Sequence, residues 1–171
     1  MKIAAASSDN TTVGGESNRT FLVVVDDTEE LASVLSYACN RARFTGGKVA
    51  LLFVIDTESS PFFQHWQFVG DLMEEETMEA AKQTLSRHAA QITKKLGSTP
   101  TQYIRKGKTR KELFALIKEQ PGISNLLLGS ATGEKPGSLV EAVTGKYAGQ
   151  IGIPVTIIPG SLSLNEIDSL T

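Results

Sequence analysis

Two stretches of the chain carry residues whose types and spacing suit ligand binding. The first is Asp26, Asp27 and Thr28, directly after the apolar run 21–25. Carboxylates at the end of a buried segment can accept hydrogen bonds from a base or from ribose hydroxyls. The second is the loop from Gly129 to Ser138, which also holds Gly133, Lys135, Pro136 and Gly137 and follows the apolar run 123–128. Glycines let backbone amides approach an anion closely, and a helix N-terminus behind them favours phosphate. An ordinary glycine-rich connection ending in a helix cap accounts for the same residues equally well. The loop is not a P-loop, because three residues rather than four separate Gly129 from Gly133, and Lys135 is followed by proline. No Gly-x-Gly-x-x-Gly follows the first apolar run either, so Rossmann-type dinucleotide binding is not expected.

Other reactive side chains are sparse. The single cysteine, Cys39, makes neither an internal disulfide nor a two-thiol motif, fits a reducing compartment, and lies in the apolar stripe Leu31, Val34, Leu35, Ala38 and Ala42. It reads as core. The histidines, His65 and His88, have no cysteine nearby, and a metal site is not expected. Arg105, Lys106, Lys108, Arg110 and Lys111 place five basic residues within seven positions and read as a solvated loop at a sheet edge. With 17 basic against 19 acidic side chains the net charge is -2, which argues against nucleic acid or a membrane surface as partner. The longest apolar run, 49–55, is far short of the roughly 20 residues that span a bilayer. The expectation is a soluble cytoplasmic protein.

The elements that must position these residues alternate. Apolar runs at 21–25, 49–55 and 123–128, a weaker one at 102–105 and a last one over Pro154, Val155, Thr156, Ile157 and Ile158 predict five strands. Between them lie helical patterns. Thr28 is placed to cap the first, which runs to about residue 43 with Glu29 and Glu30 in its first turn. The second spans about 71–96 with Met78, Ala81, Leu85, Ala89, Ile92 and Leu96 on one stripe. The third and fourth open with the capping-box spacings Thr109/Glu112 and Ser138/Glu141. Alternation from end to end predicts an α/β fold, one domain over 20–160, with an open, mainly parallel five-stranded sheet and helices on both faces. Residues 1–19 read as a disordered leader and 161–171 as a tail that either lies on a neighbouring surface as a short amphipathic segment or frays. The aromatic cluster Phe62, Phe63, Trp66 and Phe68 is expected to pack over the sheet or on a partner, with a lid over the crevice as the alternative. In such a sheet, ligands bind beyond the strand C-termini where the winding reverses.

Taken together, these residues resemble the universal stress protein family over about 20–159. The resemblance rests on Val25-Asp26-Asp27-Thr28, Phe53-Val54-Ile55-Asp56, Gly107, Leu127-Leu128-Gly129-Ser130, Gly137-Ser138-Leu139 and Ile153-Pro154-Val155. It implies strand order 3-2-1-4-5 and homodimers pairing through the last strand, that is through Pro154, Val155, Thr156, Ile157 and Ile158. It also implies ATP or AMP with magnesium in the crevice between strands 1 and 4. Asp26 and Val54 would then lie at adenine and ribose, and Leu128, Gly129, Gly133, Gly137, Ser138 and Leu139 around ribose and phosphates. The family's loop has two and then nine residues between successive glycines; this chain has three and three. Two roles therefore stand side by side, a nucleotide-binding stress-response module and a dimeric interaction module that does not bind ATP. Slow ATP hydrolysis is a third and lesser reading, because no Ser/His/Asp set, carboxylate pair or metal cluster stands out; an enzymatic role is not the expectation.

Overall fold

The computed structural model describes residues 19–57 and 70–170. The leader up to residue 18, the cluster Phe62, Phe63, Trp66 and Phe68, and His65 lie outside the described residues. Strand β1, Thr20–Val24, is followed by helix α1, Leu31–Thr45, and strand β2, Lys48–Asp56. Helix α2, Gly70–Leu96, leads to β3, Thr101–Gly107, then to α3, Thr109–Glu119, and β4, Ile123–Ser130. Helix α4, Ser138–Thr144, a short 3-10 turn, β5, Val155–Pro159, and α5, Leu164–Ser169, complete the described chain.

The sheet order is β3-β2-β1-β4-β5, with every pair parallel. Strand β1 sits at the centre because both of its faces are apolar. Phe21 and Val23 point into one core with α1, α2 and α5, while Leu22 and Val24 point into the other with α3 and α4. The same alternation divides Val49 and Leu51 from Ala50 and Leu52 on β2. Winding runs outward from β1 through β2 to β3 and then returns to β4 beside β1. That reversal opens a crevice beyond the C-terminal ends of β1 and β4.

Helix starts differ from the sequence expectation. Thr28 caps no helix: its N–H and its hydroxyl both donate to Asp26 Oδ1, at 3.2 and 2.7 Å. Helix α1 begins at Leu31 with Glu30 as its N-terminal boundary residue, so Glu29 and Glu30 lie outside its first turn. The capping box at Thr109 does not form, because its hydroxyl donates to Asp56 Oδ2 at 3.2 Å and Lys108 is the boundary residue. Ser138 makes no capping bond either; Gly137 precedes α4 without a side-chain acceptor. Pro154 falls just before β5, where its carbonyl accepts from Leu126 N at 3.0 Å.

The segment after Pro159 is ordered by packing. Ser163 and Glu166 form the reciprocal capping box that the sequence suggested elsewhere, opening α5. Ile167 is fully buried in the core against α1. Ser33 Oγ donates to Leu162 O at 3.3 Å, and Asn40 Nδ2 donates to Asp168 Oδ1 at 2.8 Å.

Candidate functional site

The crevice holds a cavity of about 400 Å³ at the C-terminal ends of β1, β2 and β4. Of the residues singled out from sequence, Asp26, Val54, Leu128, Gly129, Gly137, Ser138 and Leu139 line it, and Gly133 does not. Residues 131–136 fold back on themselves, with Ala131 N donating to Pro136 O at 3.2 Å, which leaves Gly133 outside the lining. The walls are apolar where Val24, Val25, Leu31, Val34, Phe53, Val54, Leu128, Leu139 and Val140 contribute. They are acidic where Asp26, Asp27, Glu30 and Asp56 contribute, and among the described residues no lysine, arginine or histidine is on the lining.

Each polar side chain is placed by local chemistry. Asp26 follows the buried end of β1 and is oriented by the two donors of Thr28. Asp56 ends β2 and accepts from Thr109 at the start of α3. The methylenes of Glu30 lie close to two glycines. A Cβ built on Gly129 would stand 2.6 Å from Glu30 Cβ, and one on Gly160 would stand 2.5 Å from Glu30 Cγ. Both glycines are therefore required by the Glu30 side chain, which fills the gap between the ends of β4 and β5. Sequence reasoning missed Glu30, Phe53, Asp56 and Thr109 as lining residues. Two glycines at the ends of neighbouring strands were the available signal that a side chain from elsewhere occupies the space above them.

This arrangement suits the base and sugar of a nucleoside, which take apolar contact on their faces and hydrogen bonds to acceptors at their edges. It suits a polyphosphate poorly. Pro136 has no N–H, the Ala131 amide is spent within the loop, and among the described residues no cation is on the lining. Among the described residues, no group of three or more His, Cys, Asp and Glu is placed to hold a metal ion.

Other candidate residues lie elsewhere. Cys39 is buried between α1 and α2, and burial pushes its thiol above the ordinary value of 9.0, with Lys95 and Arg43 pulling the other way. Of the basic run, Arg105 pairs with Glu119, Lys106 pairs with Glu74, and the Arg110 guanidinium lies 3.9 Å from the Tyr147 ring centroid. β5 is a sheet edge, on which Ile158 is buried while Val155, Thr156 and Ile157 are partly exposed and Pro154 precedes the strand exposed. No described helix is long and apolar enough to cross a membrane.

The model of the universal stress protein family matches residues 17–159. Among solved structures, the chain is similar to a hypothetical protein, PH0823, at 24% identity and a TM-score of 0.65, covering 83% of this chain and 95% of that one. It is similar to the universal stress protein UspA from Lactobacillus plantarum at 18% identity and a TM-score of 0.64, covering 82% and 97%. A universal stress protein in complex with cAMP matches at 12% identity and a TM-score of 0.55, covering 84% and 98%. No curated protein sequence matches the chain. At these identities the structures speak for the fold, and the family match spans most of the chain. With the five parallel strands in the order the resemblance implied, this chain belongs to the universal stress protein family.

Proposed function

We propose that the chain is a regulatory stress-response module that binds an adenine nucleoside or nucleotide in the crevice between β1 and β4 and works as a homodimer through β5. The observation that carries this reading is the convergence of Asp26, Val54, Leu128, Gly129, Gly137, Ser138 and Leu139 on one cavity at the reversal of the sheet. A universal stress protein of the same fold, solved with cAMP, supports the ligand class. The partly exposed edge formed by Val155, Thr156 and Ile157 supports the dimer, since an unpaired edge strand can be covered by a second copy. The single buried cysteine suits a cytoplasmic setting.

Calorimetric titration with adenosine, cAMP, AMP and ATP tests the ligand, with Asp26→Ala as control; saturable binding that weakens at least tenfold in the variant is expected. Sedimentation tests the dimer, which should dissociate in Ile157→Lys. The closed 131–136 loop favours a second reading, an interaction module without a nucleotide. Absence of heat with all four ligands at millimolar concentration, with the dimer intact, would select it.

A further inference from the structure

We propose that Glu30 makes the crevice a charge filter, so that it takes a nucleoside or a singly charged cyclic monophosphate and turns away polyphosphates. This rests on the nucleotide-binding reading above and specifies its ligand class. Among the described residues, the four charged ones on the lining are all acidic, and no ion pair neutralises Asp26, Asp27 or Glu30. Glu30 differs from the exposed pair Asp26 and Asp27 in that it is half-buried. Its Cβ lies against Gly129 and its Cγ against Gly160, and its Oε1 lies 3.3 Å from where a Cβ on Gly160 would stand. The side chain is thus seated at the end of β4, where the loop meant to cradle phosphate begins. A ligand crossing from β1 toward that loop brings its phosphates toward this carboxylate, and among the described residues no cation is on the lining. Two of the loop's backbone positions offer nothing in compensation, because the Ala131 amide is bonded internally and Pro136 has none. In a cleft of low effective dielectric, like charges a few ångströms apart disfavour binding strongly, and each added phosphate charge increases the penalty.

The test is calorimetry at constant ionic strength in the presence of a chelator, with adenosine, cAMP and ATP, on the full chain and on Glu30→Gln. The amide keeps the methylenes that fill the gap and removes the charge, exchanging one acceptor oxygen for an NH2 donor. Adenosine and cAMP are expected to bind the parent protein at least about tenfold more tightly than ATP, which is about 1.4 kcal/mol. Glu30→Gln should strengthen ATP by about tenfold and leave adenosine within about twofold. Asp27→Asn, at an exposed position, should move ATP in the same direction by a smaller factor. Raised salt should improve ATP binding to the parent by a larger factor than to Glu30→Gln, because screening weakens repulsion. If adenosine binds but ATP binds equally well or better, or if Glu30→Gln leaves their ratio unchanged, the charge filter is overturned while the nucleotide reading stands. If none of the three binds either protein, the nucleotide reading fails and the filter fails with it.

Discussion

Gly129→Ala isolates the contact that seats Glu30. The added Cβ would lie 2.6 Å from Glu30 Cβ and 3.2 Å from Val34 Cγ2. Neither neighbour is the free end of a long side chain, so relief requires α1 to move off the end of β4. Overpacking of this kind costs about 1–3 kcal/mol. Gly129 has no positive φ, so alanine also recovers about 0.4–1 kcal/mol by restricting the unfolded chain, and the net loss is centred on ~1.3 kcal/mol with an upper end of ~2.6 kcal/mol. For a chain of this size the central value lowers Tm by roughly 3–5 °C. The control is Gly122→Ala, where nothing lies within 4 Å, and it should be neutral or stabilising. Specificity comes from a double-mutant cycle with Glu30→Gly, because alanine at 30 would keep the offending Cβ and glycine is well tolerated at a helix boundary. Urea unfolding followed by circular dichroism should give a coupling above about 0.5 kcal/mol, with Gly129→Ala costing less when Glu30 is absent. An unchanged penalty in the Glu30→Gly background, or a Gly129→Ala protein as stable as Gly122→Ala, would refute the wedge.

Two further outcomes concern the C-terminal segment. Ile167→Ala should cost about 2–5 kcal/mol in urea unfolding, because Ile167 is wholly buried, whereas Leu170→Ala, 63% exposed, should stay within about 0.5 kcal/mol. Ser163→Ala should lower Tm by a few degrees at neutral pH through loss of the capping box. The hydrogen bonds from Ser163 hold the Glu166 carboxyl below its ordinary value of 4.5, so its contribution is present above that value and lost as pH falls through the depressed one. The Tm gap between parent and variant should therefore narrow on acidification below about pH 4.5, without vanishing, because the Glu166 N–H bond to Ser163 Oγ does not titrate. A gap constant with pH would remove Glu166 from the account.

Element type and order were legible because apolar runs and helical stripes report burial directly. Phe21 through Val25 could hardly be anything but a strand covered on both faces, and Leu85, Ala89 and Ile92 mark one helix face. Caps were less legible. Thr109 and Ser138 have the same spacing to an acidic residue as Ser163 has to Glu166, yet only Ser163 forms the box. Spacing offers a partner without excluding others, and at the crevice Asp26 and Asp56 take the hydroxyls of Thr28 and Thr109. Glu30 was illegible as a lining residue because its position depends on glycines about a hundred and more residues downstream, at the ends of two other strands. Gly133, chosen by its place in a family loop, lies off the cavity because the shortened loop closes on itself.

The docking of α5 on α1 bears on how the chain reaches its native state. Ser33, Ser36 and Asn40 meet partners 128 to 132 positions later in sequence, with Ser36 Oγ 3.4 Å from Asp168 Oδ1. Because loop-closure entropy precedes such contacts, they form late, and a parallel sheet whose central strand waits for β4 adds to the delay. During synthesis, the face of α1 that receives Ile167 stays open until that residue has left the ribosome. This long interval exposes apolar surface to holding chaperones or to other nascent chains.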